Sequence, residues 1–261
     1  GSSEEIISWL RSRITPIDYK VIALNHNRGV AFAQNVGIRH AQTCRANYVV
    51  LFDQDSDPSA DMITKLSRAI RITEMQGTKV AAAGPNFIDH RRKPSSPFVR
   101  VEGYQLRKVE CAGHNLVEVD FLIASGCLIP MRTLEKVGIM KEELFIDYVD
   151  IEWGLRAKSL GFQSIGVCDA HMAHSLGDEI IRFRGKLHPL HNPSRHYYHF
   201  RNAIRLYKQR NLPLTWKLVD CRRLIRQYIF YSLIAKPRLA HWRMMSKGIW
   251  HGLIGKSGKM P

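Results

Sequence analysis

The stretch "YVVLFDQDSDP", residues 48–58, decides how the rest of the chain is read. Five apolar residues rich in β-formers, Tyr48–Phe52, are followed at once by Asp53, Asp55 and Asp57. A continuous apolar run of this kind is the pattern of a buried parallel strand. Three carboxylates so close together repel one another, so something positive is expected among them. In open α/β sheets, ligands sit outside the carboxyl ends of the strands, and Asp53 and Asp55 stand at such an end. Side chains alternate along extended backbone, so these two can point the same way. Together they would make a hard oxygen site for Mg²⁺ or Mn²⁺, with a diphosphate supplying further ligands. The alternative is a solvated turn with Asp57 capping the next helix. An EF-hand loop fails, because counting from Asp53 its Gly position holds Pro58 and its Glu position holds Thr64.

Outward from this stretch, strand and helix patterns alternate. Lys20–Leu24 reads as a strand, Val30–Ala41 as a helix, and Pro58 and Asp61 open a second helix carrying Met62, Ile63, Leu66 and Ile70. Val80–Ala83 reads as a buried strand ended by Gly84-Pro85. A polar excursion covers 86–118. Val119–Ile123 and Gly126–Ile129 then flank the turn "ASG". Asp150–Leu160 is helical, and Gln163–Val167 reads as a last strand. This alternation predicts an α/β fold with a mainly parallel sheet covered by helices on both faces.

The chain has 261 residues, 45% of them hydrophobic and 24% charged, enough for one large domain with a core. Cys44, Cys111, Cys127, Cys168 and Cys221 are scattered with no C-x-x-C pair, which argues against a zinc site or disulfides and suits a reducing cytosol. The net charge of +16 is concentrated at one end: residues 182–261 hold 18 Lys+Arg and a single acid, Asp220. The reading is a near-neutral body, 1–185, followed by a basic amphipathic helical tail, 186–261. The tail's longest uncharged run, Gln227–Ala235, is far short of the ~20 residues of a membrane span.

A second acidic cluster, Asp147, Asp150 and Glu152, lies where a loop enters a helix. Helix dipoles favour carboxylates there; a general base aimed at a bound hydroxyl is the functional alternative, with Asp150 the preferred candidate. His171 and His174 follow around a strand end, and His174 is placed to join a metal shell with Asp53 and Asp55.

"NRGVAFAQNVGIRHA", "LFDQDSDP", "SGCLIP", "DYVDIEWGLRAKSLGF" and "AHSLGD" occur in the order found in family 2 glycosyltransferases. The chain resembles the bacterial rhamnosyltransferases that build O-antigen and other surface polysaccharides, along its whole length. The resemblance implies a GT-A, Rossmann-like fold and inverting transfer of a sugar to a saccharide or lipid-linked acceptor. The implied donor is a nucleotide sugar, dTDP-L-rhamnose. It implies metal ligation by Asp53, Asp55 and His174, a catalytic base in Asp150, and nucleotide contacts from Asn27, Arg28, Gly29, Asn35 and Asp53. Ser125 and Gly126 would border the donor sugar. The opening "GSSEEII" resembles the end of the family's D-N-G-S turn, so the first strand and the Asp that contacts the base are expected to be missing.

Lys217, Arg222, Arg223 and Arg226 interleave with Trp216, Leu218, Val219, Leu224, Ile225, Tyr228 and Ile229. This predicts a helix lying on an anionic membrane surface, peripheral to the cytoplasmic face. Nucleic-acid binding by the tail and metal-dependent phosphate-ester hydrolysis at Asp53 are the rival classes. The first leaves the acidic constellation without a role, so no nucleic-acid partner is expected.

Overall fold

A computed structural model describes residues 20–88, 98–111, 113, 115–173, 179–183 and 185–261, with positions 5, 8 and 12. Helix α1 (Val30–Thr43) buries Ala31, Asn35 and Ile38, one helical face. Strands β1 (Tyr48–Val50) and β2 (Asp57–Pro58) flank the acidic turn. Helix α2 (Met62–Met75) buries Met62, Leu66, Ala69, Ile70 and Thr73 at helical spacing. Then come β3 (Val80–Ile88), the hairpin β4 (Phe98–Glu102) and β5 (Gln105–Val109), β6 (Leu116–Val119) and β7 (Leu128–Pro130). Helices α3 (Met131–Val137) and α4 (Val149–Ser159) precede β8 (Gln163–Ala173), β9 (Glu179–Phe183) and β10 (Lys186–Leu190). The chain closes with α5 (Pro193–Tyr207), α6 (Leu214–Leu233) and α7 (Arg238–Leu253).

The main sheet runs β1-β7-β3-β8-β2, with β6 also on β8. It is mixed, which corrects the expectation of a mainly parallel sheet: β3 and β8 pair in parallel, while β1–β7, β3–β7, β2–β8 and β6–β8 are antiparallel. β1, β3 and β8 run one way, and β2, β6 and β7 the other. Among the described residues no helix lies between β3 and β7, so no helical crossover makes β7 parallel to β3. Helices nevertheless cover both faces. α2 packs with β7 and β8 through Leu66, Ile70, Leu128, Ile165 and Met172. The other face holds Ile38 of α1, Leu134 of α3 and Trp153 of α4.

Four other expectations are corrected. Residues 20–24 form no strand; Ile22 and Leu24 are exposed. β3 continues through Gly84-Pro85 to Ile88, in parallel register with β8. β8 is not the last strand, since the β9–β10 hairpin follows. Cys111 and Cys168, 57 residues apart in sequence, form a disulfide joining the end of β5 to β8; isolated cysteines give no spacing signal for such a pair.

The C-terminal helices contribute to the same core. Phe200, Ala203 and Leu206 of α5, Trp216, Leu224 and Tyr231 of α6 and Met245 of α7 belong to one apolar cluster with the sheet. No described helix is long and apolar enough to cross a membrane. Arg223 departs from the lipid-facing role expected of it. It turns inward, pairing with Asp220 at 2.6 Å and donating to the Tyr148 hydroxyl at 3.0 Å.

Candidate active site

Beyond β1 the backbone does not stay extended. The Ser56 amide donates to the Asp53 carbonyl at 3.2 Å, closing a tight turn over Gln54 and Asp55. Asp53 and Asp55 are therefore exposed on one turn, not alternating along a strand as expected. Asp57 does not cap α2; it pairs with Ala173 across β2–β8, and Asp61 is the capping position. Two carboxylates on one turn are the hard, anionic oxygen donors that a Mg²⁺ or Mn²⁺ ion prefers, so this pair fits such an ion. The expected third ligand, His174, lies outside the described residues. Among the described residues, no group of three or more His, Cys, Asp or Glu side chains gathers to hold a metal. His171 is exposed on β8.

A second turn is fastened to the first. The Asp53 amide donates to Ser125 Oγ at 3.3 Å, and the hydroxyls of Ser56 and Ser125 are hydrogen-bonded. The Gly126 amide donates to the Leu51 carbonyl at 2.7 Å. Gly126 has φ +78°, and a Cβ there would meet Pro85 at 2.7 Å, so the turn needs glycine. The Ala124 backbone binds the Asp150 carboxylate, which also accepts from the Ile151 amide at 2.9 Å. Ala124–Gly126 thus joins the acidic turn to the second acidic cluster.

The three acids of that cluster have different surroundings. Glu152 is fully buried and neutralised by Lys141 at 2.8 Å and Arg156 at 3.0 Å. Asp147 pairs with Arg195 at 3.2 Å. Asp150, at the start of α4, has no cationic partner among the described residues. Burial, with the charge of Asp147 nearby, pushes its carboxyl up to about 6. Nearby Cys127 is no nucleophile: burial drives its thiol up to about 12.

The loop before α4 has unusual backbone. Phe145 has φ 68° and ψ −65°, and the Ile146 amide reaches back to the Leu144 carbonyl at 2.8 Å. This is a γ-turn of the rare positive-φ kind. Asp147 and Tyr148 follow, both at φ 62°. Each such residue costs on the order of 1–3 kcal/mol and persists only where its surroundings over-determine it. Here they do. Asn202 Nδ2 donates to the carbonyls of Leu144, Ile146 and Asp147 at 2.8, 2.8 and 2.9 Å. Arg201 Nη2 donates to Leu144 at 2.9 Å. Both residues, on α5, are fully buried. Tyr148 donates to Asp220 Oδ2 at 2.8 Å, as Tyr207 does at 2.7 Å.

The N-x-G segment abuts this loop. Asn27 Oδ1 accepts from the Gly29 amide at 3.1 Å, and the Ala31 amide donates to the Phe145 carbonyl at 3.4 Å. Gly29 has φ +92°, and a Cβ on it would lie 2.4 Å from that carbonyl. Asn27 and Arg28 are exposed, the guanidinium of Arg28 stacking over Phe32 at 3.7 Å. α1 and β1 line a cleft of about 560 Å³ that ends at Asp53 and Ala124. Asn35 does not line it as expected. Only 1% exposed, it donates to Met140 O and Glu142 at 2.9 Å and accepts from the Met140 amide at 2.9 Å. Its amide is consumed in bracing residues 140–142 against α1.

Arg201, Asn202 and Asp220 escaped the sequence reading. Asp220 alone carried a signal, as the single acid of a basic tail; buried Asn and Arg on an amphipathic helix carry none.

No protein-family model matches the chain. Among curated proteins, the dTDP-rhamnosyl transferase RfbF of Shigella flexneri is 34% identical over 252 residues, 95% of this chain and 82% of that protein. The chain belongs to the rhamnosyltransferase-like glycosyltransferases of family 2. The low-salt glycan biosynthesis hexosyltransferase Agl10 of Haloferax volcanii is 25% identical over 175 residues, 64% of this chain and 54% of that protein. Residues 1–349 of S. aureus TarS share the fold, with a TM-score of 0.50 and 14% identity, covering 95% of this chain and 67% of that one. The glycosyltransferase described here therefore has the GT-A fold, with helices α5–α7 as its C-terminal extension.

Proposed function

We propose that this glycosyltransferase moves rhamnose from dTDP-L-rhamnose, with inversion, to a hydroxyl of a saccharide or lipid-linked acceptor in surface-polysaccharide synthesis. The observation that carries the reading is Asp150, the one acid of its cluster without a cationic partner among the described residues, with a carboxyl near 6. Such a group is deprotonated at neutral pH yet basic enough to take a proton from an attacking hydroxyl. The donor assignment is supported by the named activity of the S. flexneri relative. Asp53 and Asp55, with His174, would hold Mg²⁺ or Mn²⁺. A bound divalent ion supplies neutralisation of the leaving diphosphate. Ser125 and Gly126 orient the donor sugar between the acidic turn and Asp150, and Asn27, Arg28 and Gly29 border the nucleotide.

The chain is proposed to work on the cytoplasmic face of the membrane, held by its basic C-terminal helices. In support, α6 exposes Leu214, Leu218, Ile225, Ile229 and Leu233, and α7 exposes Leu239, Trp242 and Trp250.

The test is thermal unfolding of the full chain with a panel of nucleotide sugars. dTDP-L-rhamnose with Mg²⁺ should raise the midpoint more than UDP- or GDP-sugars, and Asp55→Ala or chelator should remove the gain. Equal protection by all donors would overturn the donor assignment; protection indifferent to chelator would overturn the metal.

A further inference from the structure

We propose that the cleft between the β4–β5 hairpin and α6 is a binding site for a phosphate or diphosphate ester presented on a lipid. The cleft measures about 320 Å³ and is lined by Tyr104, Leu106 and Phe121 and, on α6, by the exposed Arg222 and Arg226 with the inward-turned Arg223 between them. It opens away from the acidic turn and Asp150, and meets the candidate active site at Asp220, which buttresses the loop before α4.

The charge balance points to an anion. Asp220 is the one carboxylate lining the cleft, and it is already engaged by Tyr148, Tyr207 and Arg223. Arg222 and Arg226 are exposed, and among the described residues neither has a carboxylate partner. They stand one turn apart, where like charges repel. A phosphate bridging them would relieve that repulsion through charge-assisted, bidentate hydrogen bonds, the geometry guanidinium groups favour.

The lipid source follows from the helix. At 100° per residue, Leu214, Leu218, Ile225, Ile229 and Leu233 form one stripe of α6. That stripe borders the cleft, with Arg222 and Arg226 on the shared margin. All five apolar residues are exposed. A lipid phosphate in the cleft would place its chains along this stripe. The site also reaches the chemistry: Asp220 holds the hydroxyl of Tyr148, the residue two before Asp150. The proposal rests on the membrane-surface reading only for where the phosphate comes from.

The test uses the full chain in chelator, so that no diphosphate is held through a metal at Asp53 and Asp55. Binding is measured to phosphatidylcholine vesicles containing phosphatidic acid, and separately to inorganic diphosphate. Arg222→Gln/Arg226→Gln should weaken vesicle binding by about tenfold or more, as the loss of two direct phosphate contacts implies. A control pair of exposed tail cations outside the cleft, Arg238→Gln/Arg243→Gln, should weaken it only a few-fold. Equal losses in the two pairs would overturn the cleft while leaving diffuse membrane attraction standing. Arginine-dependent binding of inorganic diphosphate with none to vesicles would overturn the lipid source. Absence of wild-type binding to both probes would overturn the site altogether.

Discussion

Asp150 shows how a few neighbours set the role of one residue. Asp147 and Glu152 have cations within about 3 Å, whereas Asp150 has backbone amides and a neighbouring negative charge. Its folded carboxyl near 6 lies above the unfolded value near 4, so the native state binds the extra proton. Folding stability attributable to this residue therefore falls as pH rises from about 4 to 6, and the penalty is complete above 6. Asp150→Asn should lower turnover by roughly 10²–10⁴-fold with donor affinity nearly unchanged. It should also raise stability at pH 7 by roughly 1–3 kcal/mol and change it little at pH 4. Denaturant melts at the two pH values, beside turnover, check this; a variant equally destabilised at both would mean that Asp150 is a structural carboxylate. The wild-type rate should drop below pH 6 as the base protonates. The sequence singled out Asp150 and the Asp53/Asp55 pair through type and position, and the Ala124–Gly126 turn touches both groups. It misjudged Asn35, because an Asn near a binding loop reads the same whether its amide faces ligand or the buried carbonyl of Met140.

The elements that hold the loop before Asp150, the proposed base, come from opposite ends of the chain. α1 enters through Gly29 against the Phe145 carbonyl, and α5 grips the carbonyls of 144–147 with Asn202 and Arg201. Three residues at positive φ in this loop need those contacts. Asn202→Ala would leave the Ile146 and Asp147 carbonyls without the donor they now share, a loss of roughly 1–3 kcal/mol. A positioning role predicts more than lost stability. The turnover number should fall with KM for donor unchanged, and the acid limb of the pH–rate profile should move as Asp150 changes surroundings. If melting temperature drops but the pH profile of the folded fraction stays put, Asn202 is only a core residue. At this scale the sequence was legible wherever helical periodicity was strong: α2 and α4 fall where the pattern puts them, while the run expected to be a buried parallel strand keeps only Tyr48–Val50, half-buried and antiparallel to β7, with Phe52 exposed. It misled where tertiary contact decides. Lys20–Leu24 has strand composition but is not paired, and Gly84-Pro85 does not end β3 because β8 continues alongside it.

Across the whole molecule, the basic C-terminal helices and the sheet share one core, and α5 and α7 carry three buried histidines, His196, His241 and His251, and the half-buried His199. His196 and His241 meet at 3.1 Å, His199 bonds Gln227 at 3.2 Å, and His251 bonds the Tyr197 hydroxyl at 2.8 Å. Burial depresses all four; neighbouring positive charge adds to this except at His241, and His196 falls to about 3. The sign is opposite to that of Asp150. Unfolded histidines take up protons from about 6.5 downward and the native ones only at lower pH, so their contribution to stability is present above 6.5 and lost as pH falls. Each loses up to about 1.4 kcal/mol per pH unit. Four such groups outweigh the single carboxylate, so the full chain should lose stability steeply between pH 6.5 and 5. Because α5 carries His196, His199 and the clamp on the loop before α4, and α7 carries His241 and His251, the chain should unfold in one transition. Tryptophan fluorescence, reporting Trp153 in α4 and Trp216 in α6, should give the same midpoint as backbone circular dichroism at pH 7.5 and at pH 5.5. Separate midpoints at pH 5.5 would mean that the C-terminal helices and the sheet do not unfold as one unit. His196→Phe, which keeps a ring and removes the titrating group, should flatten the pH dependence; an unchanged slope would assign the acid sensitivity elsewhere.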